Sequence, residues 1–201
     1  MLLLRGILMN RRIVLASNSP RRKEMLAEFI DFEVISKVID EVYDESKPEH
    51  VNVMSIAFNK AYEVAKENEN AIVVAADTLV YKDGPLGKPK DREDAKKMLL
   101  NLSDTIHDVL TGCAIICIGE NYKKIFYERT QVKFKKLSEI QIEKYLDTLE
   151  YIDKAGAYGI QGYGSLLIES VKGDFFNVVG LPISRLYYVL DADFGVDFLK
   201  R

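Results

Sequence analysis

The sequence predicts an α/β fold in which a mixed, twisted sheet is flanked by helices, and three observations carry that prediction. Short apolar runs alternate with stretches of helical periodicity through the first hundred residues, as in parallel βα units. Two long runs, "IHDVLTGCAIICI" and "KKIFYERTQVKF", then follow one another across the short segment "GENYK", as in an antiparallel pair. The composition, 201 residues with 48% hydrophobic and 29% charged side chains, is that of a globular chain long enough to bury a substantial interior.

The elements follow in order. "MLLLRGIL" has neither a basic start nor a small-residue cleavage site, so with Met9 as the start residues 1–8 are an appendage and 9–201 one domain. "RIVLAS" reads as a strand ending in a Ser-rich turn. "PRRKEMLAEFI" places Met25, Leu26, Phe29 and Ile30 on one helical face, with Ser19 suited to the N-cap and Pro20 to the first helical position. "FEVISKV" reads as a second strand and "IDEVYDES" as an acidic loop. Met54, Ala57, Phe58, Ala61, Val64 and Ala65 recur at helical spacing, which predicts a helix over 48–67 with Lys60 off its apolar face.

"AIVVAA" is nearly continuous in apolar character, as in a strand covered on both faces, and Asp77-Thr78 interrupt it before "LVY". A turn-rich loop, "KDGPLGKPKD", leads to the helix "REDAKKMLLNL". "SEIQIEKYLDTLE" opens with a capping box from Ser138 to Gln141. "DKAGAYGIQGYG", with its four glycines, predicts an irregular loop. "SLLIESV" reads as a strand, "KGDFFNVVGL" as a loop, and "PISRLYYVL" as a last helix begun by Pro182.

Several function classes are disfavoured. A net charge of −3 supplies no global basic field for bulk nucleic-acid binding, and no apolar stretch reaches membrane-spanning length. Cys113 and Cys117 lie four apart in an apolar run, which is neither a CxxC pair nor a disulfide framework. Reduced core cysteines of that kind fit a cytoplasmic compartment. His50 and His107 have no zinc-ligand spacing, and a structural hydrogen bond is the expected role of His107.

What remains points to an anion. Arg21, Arg22 and Lys23 fall in the first turn of a helix, where the backbone dipole already places positive charge. They make either a phosphate site or a solvated basic patch, and the local sequence admits both. Asp77 ends the apolar run at the carboxyl edge of the sheet, where open α/β folds place ligands. A carboxylate there binds a metal, orients a water, or caps a turn. The acidic loop adds Asp40, Glu41, Asp44 and Glu45, any one of which a metal site could draw on. "GPLGKPK" is not a P-loop, because Pro89 stands where Ser or Thr is required, yet Lys88 can reach a phosphate as a point charge. Gln161 is a neutral donor and acceptor of the kind that reads a base edge.

Taken together, "LASNSPRRKEML", "AADTLV", "GKP", "HDVLTG", "DKAGAYGIQG" and "GDFFNVVGLPI" resemble, in order, the signature segments of the Maf family of nucleoside triphosphate pyrophosphatases. The resemblance runs from about residue 13 to 190. It implies a two-lobed fold related to the inosine triphosphate pyrophosphatases (Maf/Ham1-type), with a cleft between the lobes. It further implies cleavage between the α- and β-phosphates, Asp77 as the catalytic base, and Glu41, Lys60 and Lys88 as cleft residues. Ser17, Ser19 and Arg22 of the first signature are implied to contact substrate. Arg21, Thr78 and Gln161 match the subgroup that acts on dTTP and UTP. A divalent metal, Mg²⁺ or Mn²⁺, is expected on Glu41 and Asp77, and a homodimer follows from the family. Two other functions stay open at this level: a broader pyrophosphatase for noncanonical or modified nucleotides, and a nucleotide-binding regulator of septum formation.

Overall fold

A computed structural model describes residues 11–199, and the expected appendage over residues 1–8 lies outside them. One sheet organises the chain. Strands β1 (Ile13–Leu15), β2 (Glu33–Val34) and β3 (Ile72–Tyr81) run parallel, as their connections through helices α1 (Pro20–Ala27) and α2 (Glu49–Ala65) require. The short β4 (Pro85–Leu86) pairs back on β3, and helix α3 (Arg92–Leu102) leads to β5 (Ile106–Cys117). β5 runs antiparallel to β3 and, through a 3₁₀ turn, to β6 (Tyr122–Phe134). After α4 (Glu139–Leu146), β7 (Ile168–Lys172) closes the order β2-β1-β3-β5-β6-β7, and helices α5 (Phe175–Val179) and α6 (Ile183–Phe194) follow. The mixed sheet flanked by helices is the architecture the sequence predicts.

The differences lie at element ends. β3 is not interrupted at Asp77-Thr78, because those residues pair with Gly112 and Thr111 of β5 and the ladder continues to Tyr81. "FEVISKV" keeps only Glu33 and Val34 as strand, both exposed, at an edge with β1 as its one neighbour. "SLLIESV" begins in 3₁₀ turns and pairs only from Ile168. "FFNVV" is helical, since the Asp174 carboxylate accepts the Phe176 N–H at 2.8 Å and caps it. Pro182 is the N-cap of α6 and Ile183 its first residue. Ser19 does occupy the cap position of α1, but its side chain makes no capping bond, and its own N–H donates to Ser17 Oγ at 3.3 Å. The capping box of α4 forms as expected.

Alternation along the central strands divides the interior. Val73, Ala75, Ala114 and Ile116 pack on α2 through Ala57, Ala61 and Val64. On the other face Ile72, Val74, Cys113, Ile115 and Phe126 meet α1 and α6, through Leu26, Leu186 and Leu190. Further along that same face Val80, Val109, Val132 and Phe134 meet α3 and α4 in a separate cluster. Between the two clusters the same face carries Thr78 on β3, Thr111 opposite it on β5, and Glu128 and Thr130 on β6, Glu128 opposite Thr111 and Thr130 opposite Val109. A polar row thus splits one face of the sheet into two apolar cores. Cys113 and Cys117 are buried free thiols, as expected, with burial pushing the Cys113 thiol up to about 12.

Candidate active site

Where the polar row crosses β3, the consecutive residues Asp77 and Thr78 project to opposite faces, and each meets a different helix. Asp77 follows Val73 and Ala75 towards α2. There Lys60 Nζ donates to Asp77 Oδ1 at 2.7 Å and pairs with Glu41 Oε1 at 2.9 Å. Gly112, opposite Asp77 on β5, permits this approach: a Cβ there would collide with the Val53 backbone and stand 2.7 Å from Met54 N. The Lys60 and Asp77 side chains are each 15% exposed but Glu41 is 55% exposed, so the Lys60–Asp77 pair is the constant part and Glu41 the adjustable one.

Thr78 faces α1. Arg22 of that helix donates from Nε to the Gly180 carbonyl at 2.7 Å, from Nη1 to Ser17 Oγ at 3.3 Å and from Nη2 to Thr78 Oγ1 at 2.9 Å. The expected phosphate contact therefore uses three of its five N–H groups on protein acceptors. Burial pulls the Arg22 pKa down, opposed mainly by the Asp77 charge. Thr78 Oγ1 also lies 3.0 Å from Thr111 Oγ1, which donates its one hydrogen to the Asn177 carbonyl at 2.9 Å. By elimination Thr78 donates to Thr111, so its proton is committed inward and it keeps one acceptor position. The chain continues from Asn177 Nδ2 to Val109 O and Thr130 Oγ1, both at 3.0 Å, and from Thr130 to Asp174 O at 2.9 Å. Thr111, Thr130 and Asn177 are fully buried.

Ser17, Ser19, Arg21, Arg22, Glu41, Lys60, Asp77, Thr78, Lys88 and Gln161 all border a single cleft of about 1200 Å³. That exceeds the usual range of small-molecule sites, roughly 300–1,000 Å³, and admits a nucleotide with its phosphates. Lys88 and Gln161 are exposed. Three features of the Gln161 loop escape sequence reasoning. Glu150 holds the loop by accepting the Tyr163 and Gly164 N–H groups at 3.0 and 3.1 Å. Tyr158 is held by His107, whose Nε2 lies 2.7 Å from the Tyr158 hydroxyl while its ring stands edge-on to Phe134. Burial lowers the His107 pKa to about 4, so the imidazole is a neutral structural partner, as expected from its spacing. Lys154 borders the cleft as well. Its signal was the run "DKAGAYGIQGYG", which reads first as glycine pattern.

Among the described residues no group of three or more His, Cys, Asp or Glu side chains could hold a metal. Glu41 and Asp77 do converge, but on Lys60, which takes one oxygen of each. Each carboxylate has a second oxygen, a hard donor of the kind Mg²⁺ and Mn²⁺ take, and such ions complete their coordination with water and phosphate oxygens. The residues fit a metal that arrives with an anionic ligand. No helix among the described residues is long and apolar enough to cross a membrane.

The sequence profile of the family described as Maf-like protein matches residues 12–192. A dTTP/UTP pyrophosphatase of Clostridioides difficile (strain 630) is 50% identical over 188 residues, covering 92% of this chain and 96% of its own. A dTTP/UTP pyrophosphatase of Thermoanaerobacter sp. (strain X514) is 49% identical over 191 residues, covering 94% of this chain and 100% of its own. Among solved structures, the Staphylococcus aureus Ham1 protein aligns with 62% of this chain and 72% of its own at 19% identity and a TM-score of 0.43, too distant to carry an argument.

Proposed function

The chain belongs to the Maf-like protein family, and from that membership we propose that it is a nucleoside triphosphate pyrophosphatase acting on dTTP and UTP. The products are the nucleoside monophosphate and pyrophosphate. The observation that carries the mechanism is the Asp77 carboxylate, held by Lys60 at 2.7 Å in a cleft that also presents Arg21 and Lys88.

Lys60 occupies Asp77 Oδ1 and leaves Oδ2 to accept a proton from the attacking water, a role worth roughly 10²–10⁴ in rate. The water oxygen bonds to the α-phosphorus, the bond to the α,β-bridging oxygen breaks, and pyrophosphate leaves with that electron pair. Arg21, Lys88 and the remaining N–H groups of Arg22 hold the phosphates, with Ser19 and Ser17 at the end of α1. Glu41, with Asp77 beside it, would hold a Mg²⁺ or Mn²⁺, which would supply charge neutralisation at the leaving group while Asp77 Oδ2 stays with the attacking water. Selectivity falls to Arg21, Thr78 and Gln161. Thr78 keeps an acceptor position and Gln161 offers both donor and acceptor, which suits the carbonyl and N–H edge of thymine and uracil.

Pyrophosphate release from a panel of triphosphates, with Mg²⁺, Mn²⁺ and chelator, tests this reading. dTTP and UTP are expected to outrank CTP, GTP, ITP and 7-methyl-GTP, with activity lost in chelator. Turnover led by ITP or 7-methyl-GTP would make the enzyme a broader pool-cleaning activity, and binding without turnover would make it a regulator.

A further inference from the structure

The basic side chains that border the cleft, Arg21, Arg22, Lys37, Lys60, Lys88 and Lys154, are not equivalent. Lys37 is paired with Glu67 and Lys60 with Asp77 and Glu41. Arg22 turns three nitrogens to protein acceptors. Arg21, Lys88 and Lys154 form no ion pair among the described residues.

Lys154 is the most constrained of these three. Its ammonium donates to the Glu150 carbonyl oxygen, a neutral acceptor, and the side chain is half-buried. The Glu150 carboxylate is turned away to the Tyr163 and Gly164 N–H groups. The Lys154 stem runs beside Gly159, where a Cβ would stand 2.9 Å from Cε and 3.1 Å from Cδ, so any larger residue at 159 would push the lysine aside. Two residues on, Gly156 N donates to Gly87 O at 3.0 Å and ties this loop to the one carrying Lys88. Burial lowers the Lys154 pKa and the Arg21 charge lowers it further, against the opposing pull of the Glu150 and Asp153 carboxylates. Nearby Asp153 is exposed and forms no ion pair with Lys154. Like charges that border one cleft repel, and a polyanion bound among them relieves that repulsion while gaining charge-assisted hydrogen bonds.

We propose that Lys154 is a further substrate-binding residue, whose ammonium contacts the phosphate chain of the nucleoside triphosphate together with Arg21 and Lys88. The proposal rests on the pyrophosphatase reading and adds a residue to its anion site.

The test uses two readouts: dTTP kinetics, and direct calorimetric binding of inorganic tripolyphosphate, which needs no turnover. Lys154→Met keeps the stem and removes the charge. It is expected to weaken tripolyphosphate binding and raise KM for dTTP by roughly 10- to 100-fold, with a smaller change in kcat. Lys154→Arg is expected to restore most of both. Tripolyphosphate affinity unchanged in Lys154→Met, with or without a lower melting temperature, would overturn the proposal and leave Lys154 a tie within its loop. If the wild-type protein turned over no triphosphate yet bound tripolyphosphate through Lys154, the enzymatic reading would fail and the anion contact would stand.

Discussion

The two faces of β3 at Asp77-Thr78 hold polar groups in the middle of an apolar sheet by opposite means. On the α2 face the means is charge: one ammonium against two carboxylates, with Glu41 largely in solvent. On the α1 face it is hydrogen bonding to neutral acceptors, in which Arg22 donates to Thr78, Ser17 and Gly180, and the hydroxyls of Thr78, Thr111 and Thr130 and the Asn177 amide protons each meet an acceptor. The difference is one of adjustability. Partly exposed ion pairs contribute little net stability and rearrange at small cost, whereas each buried hydrogen bond leaves a costly orphan if broken. Glu41 can therefore trade partners during a reaction while the largely buried Lys60–Asp77 pair and the α1 face, with Thr78 and Arg22, stay in place.

Removing the proposed base, Asp77, breaks the charged face most directly. Asp77→Asn retains an oxygen to accept from Lys60, so the fold is expected to survive. Pyrophosphate release is expected to fall by roughly 10²–10⁴ with substrate binding largely kept. Activity within a few-fold of wild type in a steady-state assay would remove Asp77 from its role. Next in size is Lys60→Met, which leaves the base unheld. By analogy with the loss of one positioned donor, kcat is expected to drop roughly 10²-fold, and kcat measured alongside the circular dichroism spectrum separates that loss from unfolding.

Which parts of this arrangement could be read from the sequence follows from the same contrast. Asp77 and Lys88 are charged residues in apolar or glycine-rich surroundings, and a charge out of place is visible in a string of letters, whereas Lys60 lies on the polar face of its helix and only the family resemblance points it to the cleft. The central strands, helices α2, α3 and α4 and the capping box were equally visible, because periodicity and capping are local. Thr111 and Asn177 were not. A threonine within a β-branched strand and an asparagine in a segment that reads as loop carry no pattern. Their roles come from the register that sets Thr78 opposite Thr111 and from a short helix placing Asn177 above both. The inward turn of Arg22 was hidden for the same reason, since its acceptor Gly180 lies 158 residues away.

The neutral face is tested by Thr111→Val, which keeps the shape of the side chain and deletes the hydroxyl. The Asn177 carbonyl then loses its donor and the Thr78 proton its acceptor, both in the interior. A loss of about 1–3 kcal/mol in denaturant unfolding is expected. Thr78 is freed to turn its proton outward, so the ranking of dTTP and UTP over GTP is expected to narrow by a few-fold, and Thr111→Ser is expected to restore it. Equal stability loss with the ranking unchanged would mean that the face supports the fold alone.

The smallest effect is expected where that face meets the backbone of the C-terminal signature. Gly180 sits at φ +124°, a conformation that L side chains rarely adopt, and a Cβ there would lie 3.3 Å from Thr78 Oγ1 and 3.5 Å from Arg22 Nε. The neighbouring atoms can yield by a few tenths of an ångström, so backbone strain dominates, and Gly180→Ala is expected to cost about 1–2 kcal/mol in the same unfolding measurement. Because the Gly180 carbonyl is the acceptor for Arg22 Nε, the strain is passed to the guanidinium that holds Thr78. Combining Gly180→Ala with Thr111→Val therefore distinguishes one connected face from two independent contacts: a connected face gives a double mutant whose loss departs from the sum of the singles by more than about 0.5 kcal/mol. Simple additivity would show that Arg22 and Thr111 act on Thr78 separately, leaving the ordered proton direction of the hydroxyl row without energetic consequence at its Arg22 end.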